Sequence, residues 1–314
     1  MYIEVPPRPP LGPAGAVELA LKAGTLTPLY WVLAHRLHTP GLHIQARAFA
    51  LALRTLVTRR APPPLRELVR LAAFPLDSVR YFELEFMWRA LAAANSPPFR
   101  RYLDVSSPRL LPLLVLGARR EVTADLINPD GRDLDTSARL LSSTGLADRC
   151  RLHQVTTSAA SFEVGAFEVI TCLSVLEHIP DDADAIRRMW RWLAPGGRLL
   201  LSVPCAAEAY EEYVSRDLYG VLAPRADGYT FWQRLYDEAA LQERLFAVTG
   251  PPARAALFGE RTAGLYYRHS RRRMADPRYP VWREPYMVGQ EYRHFARPAE
   301  LPGIGVMALE LVKR

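Results

Sequence analysis

Two aspartates, a pair of serines and a histidine each fall close to where a short apolar segment gives way to a polar turn. Asp104 stands in Leu103-Asp104-Val105, directly ahead of Ser106-Ser107-Pro108; Asp125 closes the alternating segment EVTADL; His178 follows the apolar run Val169 to Leu173. A carboxylate accepts two hydrogen bonds at once, a hydroxyl both donates and accepts, and imidazole exchanges a proton near neutral pH. These residue types suit hydrogen-bonded ligand recognition and proton transfer. Metal chemistry is not expected. His35, His38 and His43 cluster, but only the first two share a helix face, and no carboxylate or cysteine joins them at a ligating spacing. Cys150, Cys172 and Cys205 form no CxxC pattern.

Such positions need a sheet to carry them, and Phe167 to Pro204, FEVITCLSVLEHIPDDADAIRRMWRWLAPGGRLLLSVP, predicts one. Val169 to Leu173 is short and β-branched at its start, as a buried strand is. A helix pattern from about Asp181 to Leu193 opens on acidic residues that suit its positive end, and Ala194-Pro195-Gly196-Gly197 stops it. Arg198 to Val203 is a second apolar run. Strand, helix and strand make a βαβ unit, which crosses over right-handed into a parallel sheet. Upstream, Tyr102 to Val105 predicts a strand, with Ser107 as N-cap and Pro108 as first residue of a helix reaching Ala118. Glu121 to Leu126 predicts a second strand ending on Asp125. Asp133 or Asp135 is expected to cap a helix through about Thr144, and Arg151 to Val155 predicts a third strand. In such sheets ligands lie beyond the carboxyl ends of the strands.

The flanks read differently. Residues 1 to about 13 are Pro-rich and predict an extended arm. Ala14 to Ala94 is helical in pattern, broken at Pro62 to Pro64, with Asp77 placed to cap its strongest helix. Ala207 to Leu222 reads as helix, and Gly228 to Leu245 carries another with Asp237 as cap. Ala255 to Glu260 predicts a sixth strand and Ile304 to Val312 the last. The aromatic, basic connection from Thr262 to Pro302 has the length of a lid. The chain is therefore expected to divide into a helical extension or lid over 1–98 and an α/β domain over 99–314, with insertions at about 206–250 and 262–302.

The chain of 314 residues is 49% hydrophobic and 23% charged, an ordinary globular composition with ample length to bury a core. Its net charge of +7 comes almost wholly from arginine, Lys22 and Lys313 being the only lysines. Coding bias or a heat-adapted host is the preferred explanation and an anionic partner the alternative, since basicity alone does not decide between them. An odd cysteine count and an N-terminus, MYIEVPPRPPLGP, unlike a secretory signal lead us to expect a reducing cytoplasm. No uncharged apolar run approaches the ~20 residues needed to cross a bilayer. Gln45 to Arg59 reads as a core-packing helix with surface arginines, and alternatively as a membrane-surface helix.

In the order and spacing of its motifs the chain resembles the class I S-adenosylmethionine-dependent methyltransferases. Phe167-Glu168-Val169-Ile170 stands for that family's FDVV-like strand, Leu176-Glu177-His178 for its LEH segment, and Leu193-Ala194-Pro195-Gly196-Gly197 with Leu199 and Pro204 for LxPGGxLxxxxP. The resemblance covers roughly Arg100 to Pro204 plus the closing strand pair. It implies a doubly wound Rossmann-like α/β sheet of seven strands, the last antiparallel, and S-adenosylmethionine as cofactor. It further implies that Asp104, Ser106 and Ser107 meet the cofactor's methionine part, and that Asp125, with Leu126 beside it, takes the ribose hydroxyls. Thr156 and Thr157 would stand at the adenine, and Leu173 and Ser174 would border the methyl group. Arg80 and Tyr81, on the helix before the first strand, would fold over the cofactor. The departure is Ser106-Ser107-Pro108, where the family places glycines.

The activity implied is methyl transfer to a small or medium organic acceptor at oxygen. His178 is then either the base for the acceptor's proton or a loop histidine held by hydrogen bonds. Two rivals stand beside this reading. The glycine-free turn suggests a non-catalytic scaffold or partner subunit. The net charge and Arg271-Arg272-Arg273 suggest a nucleic-acid methyltransferase, but Ser174-Val175-Leu176-Glu177 stands where its Asp/Asn-Pro-Pro-aromatic motif would follow strand four, so nucleic acid is not an expected partner. The sequence leaves the oligomeric state open.

Overall fold

The computed structural model describes residues 1–4, 9–58, 67–69, 71, 76, 78–92, 96–215 and 222–314. Pro62 to Pro64 and the expected cap Asp77 lie outside them. Among the described residues the strands are β1 (Tyr2–Ile3), β2 (Arg101–Val105), β3 (Thr123–Ile127), β4 (Cys150–His153), β5 (Phe167–Leu173), β6 (Leu193–Cys205), β7 (Tyr210–Val214), β8 (Thr230–Leu235), β9 (Arg254–Glu260), β10 (Tyr292–Phe295) and β11 (Gly305–Val312). Eight of them form the central sheet in the order β10-β9-β11-β6-β5-β2-β3-β4. From β6 to β4 every pairing is parallel, whereas β11 runs antiparallel to both β6 and β9. The seven expected strands are thus present, and β10 adds an eighth by pairing antiparallel with β9. It lies inside the long basic connection, which also forms the helices Leu265–Ala275 and Glu284–Glu291.

Alternation along β5 divides the core. Val169 and Leu173 belong to one buried cluster with Tyr102 and Leu200, while Ile170 and Cys172 belong to the other with Ile186 and Trp192. A strand covered on both faces reads as a continuous apolar run, as this one does. The helix Asp182–Trp192 buries Ala185, Ile186, Met189 and Trp192, one face at helical spacing, and its N-cap Asp181 accepts the Asp184 N–H at 3.0 Å. On the opposite face the helix Arg80–Leu91 is buried along most of its length, Glu83 included.

Three local expectations are corrected. The helix after β2 is Leu110–Ala118, so Ser107 and Pro108 belong to the turn. The reason is Ser106, whose φ of +52° turns the chain left-handed and delays the helix. The helix after β3 is Gly131–Thr144, capped by Asp130 and not by Asp133 or Asp135. Between Ala207 and Leu222, residues Tyr210–Val214 form β7 where a helix was expected, and 216–221 lie outside the described residues.

β7 pairs with β8 and, in parallel, with β1, giving a separate three-stranded sheet. The expected arm thus contributes a strand. Asp237 does cap a helix, Glu238–Leu241, by accepting the Ala240 N–H at 2.8 Å. The small sheet is fastened to the main domain at Asp182, which is fully buried. Its carboxylate takes the Tyr236 hydroxyl at 2.6 Å, Arg234 at 2.7 Å and Arg244 at 2.6 Å. No described helix is long and apolar enough to cross a membrane.

Candidate active site

The carboxyl ends of β2, β3, β4 and β5 open on one cavity of about 500 Å³. That lies within the ~300–1,000 Å³ range of small-molecule sites. Ser106, Ser107 and Pro108 line it, but Asp104 does not. Asp104 is buried behind the turn, where its Oδ1 accepts the Ser107 N–H at 3.0 Å and its Oδ2 accepts from Tyr102 at 3.0 Å and Thr171 at 2.6 Å. Burial pushes its carboxyl up to about 6, against the pull of those hydrogen bonds. It shapes the turn from behind.

A left-handed conformation costs an L-residue roughly 1–2 kcal/mol. Ser106 offsets that cost locally, since its N–H and its hydroxyl both donate to the Ile127 carbonyl, at 2.9 and 3.0 Å. The Ser107 hydroxyl accepts the Leu173 N–H at 3.1 Å. The two serines thus tie the turn to β3 on one side and β5 on the other. A missing glycine has been replaced by two hydroxyl anchors.

β3 runs two residues past Asp125, because its pairing with β4 continues to Ile127 opposite His153. Asp125 therefore sits within the strand, its carboxylate 2.6 Å from His153 Nε2, and neither it nor Leu126 lines the cavity. Both placements are corrected by this register. Asn128, Pro129 and Asp130 line the cavity there instead. Asn128 Oδ1 accepts the Asp130 N–H at 2.9 Å, and its Nδ2 donates to Asp133 at 3.0 Å. Asp133 also hydrogen-bonds Arg109, which reaches Glu67 at 3.4 Å. After β4, Thr156 and Thr157 line the cavity, and the Thr156 hydroxyl meets Ser158 Oγ at 2.9 Å.

Leu173 and Ser174 form the edge at β5. Ser174 is a second left-handed serine, φ +47°. Its N–H donates to the Ser202 hydroxyl at 3.0 Å, and its own hydroxyl donates to Glu83. The same Glu83 carboxylate accepts from Ser202 at 2.7 Å and pairs with Arg80 at 2.8 Å. Arg80 lines the cavity. Tyr81 does not: one residue on, about 100° around the helix, it turns into the core with its hydroxyl 3.5 Å from Gln45 Oε1.

His178 closes the site from beyond β5. Its Nδ1 lies 2.6 Å from the Trp232 carbonyl. A carbonyl only accepts, so Nδ1 carries the proton and Nε2 is the acceptor nitrogen. Burial lowers the ring's pKa to about 4. Its neighbour Glu177 is buried too, with Oε1 3.9 Å from Nε2 and a carboxyl pushed up to about 8 by desolvation. Desolvation is the largest cause in both, and the Arg80 cation lowers both. The Trp232 ring stands edge-on to His178 at 4.7 Å, and Phe231 lines the cavity beside it.

Asn128, Phe231 and Trp232 are cavity residues that the sequence reading missed. Asn128 had a signal, since Asn128-Pro129-Asp130-Gly131 is a strand-ending turn. The two aromatics had none, as β8 is set by pairing with β7. Among the described residues no group of His, Cys, Asp and Glu could hold a metal ion.

Comparison with known proteins agrees with this architecture. A family model described as a methyltransferase domain matches residues 88–249, just over half of the chain. The ubiquinone biosynthesis O-methyltransferase of Xanthomonas axonopodis pv. citri (strain 306) is 33% identical over 151 residues, covering 45% of this chain and 60% of that protein. The protein of the same name from Pseudomonas aeruginosa (strain LESB58) is 46% identical over 51 residues, 16% of this chain and 22% of that protein. The chain thus spans 60% or less of the length of these relatives. A crystal structure of MccD protein superposes with a TM-score of 0.50 at 11% identity, covering 75% of this chain and 97% of that one, a likeness of fold. By the family model and the sheet that carries its cavity, the chain belongs to the class I S-adenosylmethionine-dependent methyltransferase family.

Proposed function

We propose that the chain transfers the methyl group of S-adenosylmethionine to a hydroxyl oxygen of a small or medium organic acceptor, with His178 as the base. The observation that supports it is a cavity-lining imidazole whose Nδ1–H is committed to the Trp232 carbonyl, which makes Nε2 its proton-accepting nitrogen. An oxygen acceptor accords with relatives named O-methyltransferases. The reaction takes place in the cytoplasm on this reading, in keeping with three unpaired cysteines.

The cavity's residues fit the cofactor. The turn at Ser106 and Ser107 and the start of the helix Leu110–Ala118 favour the negative charge of a carboxylate. Asn128 and Asp130 take the ribose-facing role first expected of Asp125. Thr156 and Thr157 face the adenine, and Leu173 and Ser174 border the methyl. When bound, the cofactor supplies a methyl group activated on a sulfonium. The chain orients the acceptor against it, and such alignment can supply roughly 7–11 kcal/mol of a barrier. Phe231 and Trp232 offer the acceptor an apolar face. His178 Nε2 takes the hydroxyl proton, and the Trp232 carbonyl steadies the resulting imidazolium.

Calorimetric titration of the folded chain with S-adenosylmethionine and S-adenosylhomocysteine tests this reading. Saturable binding of both is expected, followed by methylation of some member of a phenol panel. A chain folded by circular dichroism that binds neither would instead be the scaffold suggested by the glycine-free turn.

A further inference from the structure

The helix Leu42–Thr58 turns much of its apolar bulk away from the core. On the core side Ile44, Gln45, Ala48, Ala52 and Thr55 are buried, and the Thr55 hydroxyl donates to the Leu51 carbonyl at 2.8 Å. On the solvent side Phe49, Leu53, Leu56 and Val57 are 54%, 52%, 42% and 74% exposed. At about 100° per residue these four fall within one arc of about 100°, so they make a continuous stripe. Single exposed apolar residues need no explanation, but a contiguous apolar surface marks an interaction site.

Positive charge runs beside the stripe. Arg47 and Arg54, close to two helical turns apart, are both exposed and lie on one side, between the apolar arc and the core-facing residues. The Arg47 guanidinium lies 4.4 Å over the Trp88 ring, and among the described residues Arg54 is paired with no carboxylate. From Leu42 to Thr58 there is no Asp or Glu, whereas the preceding helix Pro13–Arg36, which also exposes Val17 and Leu21, sets Glu18 against Lys22. Glu85 reaches the first turn, 4.0 Å from His43, and is engaged by Arg89. A helix that lies in a membrane interface has this make-up: large apolar side chains face the acyl boundary, and arginines beside them extend to the phosphates.

A second copy of the chain is the poorer occupant. A symmetric contact through this face would bring two sets of Arg47 and Arg54 into one interface, in a chain whose net charge is +7. The cytoplasmic face of a membrane is anionic and attracts such a surface. No described helix is long and apolar enough to cross a bilayer, so the contact is with its surface. The helix is also firmly mounted, resting on the helices Arg80–Leu91, Leu110–Ala118 and Gly131–Thr144. Those three supply Arg80, Leu110 and Leu140 to the wall of the catalytic cavity.

We propose that the solvent side of the helix Leu42–Thr58 seats on an anionic lipid bilayer, with Phe49, Leu53, Leu56 and Val57 at the acyl boundary and Arg47 and Arg54 at the headgroup phosphates. Arg59, at the end of the stretch first read as a membrane-surface helix, lies outside the described residues.

The full chain is sedimented with vesicles of phosphatidylcholine alone and of equal parts phosphatidylcholine and phosphatidylglycerol. It should bind the anionic vesicles at least ~tenfold more tightly than the neutral ones. The double variant Phe49→Ser/Leu53→Ser should weaken that binding at least ~tenfold while keeping the parent's thermal midpoint. Should it fail to fold, Val57→Ser and Arg54→Gln, each at an exposed position, should each weaken binding about threefold or more. Failure to bind anionic vesicles would overturn the proposal. So would binding that raised salt abolishes and the Phe49 and Leu53 substitutions leave unchanged, the mark of a merely basic surface. Self-association in the ultracentrifuge that the same substitutions abolish, without vesicle binding, would overturn it too and assign the stripe to a second copy.

Discussion

The two walls of the first cavity are built by opposite means. The wall under β2, β3 and β4 is held mainly by hydroxyl and amide groups bonded to backbone or to one another: Ser106 to Ile127, Ser107 to Leu173, Asn128 to Asp130. The wall at β5 is held by buried ionisable groups, with Glu83 gathering Ser174, Ser202 and Arg80, and Glu177 and His178 kept neutral by desolvation. The first arrangement gives shape through hydrogen bonds that are mostly neutral, with Asp104 and Asp133 as its ionisable supports. The second holds the base we propose, and it stakes stability on a few side chains.

Substitutions on each wall test that contrast. His178→Gln should lower the methyl-transfer kcat by about 10²–10⁴-fold, as loss of a general base does, and leave cofactor affinity unchanged. In the parent, a ring held at about 4 should keep activity level above that range and lose it only as pH falls through it. A pH profile bending near 6.5 would mean that His178 is not the base.

Glu83→Leu leaves Arg80 and two serine hydroxyls without their buried acceptor and should cost about 3–5 kcal/mol in urea unfolding. Ser107→Ala, on the other wall, should cost only about 1 kcal/mol. Equal losses would erase the contrast.

Glu177 makes the second wall sensitive to pH. Its folded carboxyl, pushed up to about 8 from 4.5, retains a proton that the unfolded chain releases. That contribution is whole below pH 4.5 and is lost as pH rises through 8. Glu177→Gln should therefore gain stability relative to the parent between pH 5 and pH 9, and a constant difference would refute the assignment. The smallest effects belong to β3. Asn128→Ala should weaken cofactor binding by roughly tenfold, whereas Asp125→Ala should change it less than about twofold, since that carboxylate faces His153.

Much of the parallel sheet was readable because its signals are local. The apolar run of β5, the acidic start and Asp181 cap of the following helix, and the Pro-Gly-Gly stop each lie within a few residues of what they determine. Asp125 was misplaced because alternation finds a strand but not its end; the end is set by β4, in the pairing of Ile127 with His153. Ser107 and Pro108 carry good helix-start chemistry, yet the left-handed Ser106 postpones the helix past them. The β7–β8 region was hardest. Its strand character comes from partners at the start of the chain and across a hairpin, so no window around Trp232 contains the cause.

Asp182 has a dynamic consequence. One buried carboxylate holds Arg234 and Tyr236 at the end of β8, together with Arg244, to the first turn of the helix that follows His178. His178 and Trp232 are therefore joined twice, directly and through Asp182, and must open as one cooperative unit. Amide hydrogen exchange around Trp232 should accordingly slow or quicken in step with that of the helix Asp182–Trp192.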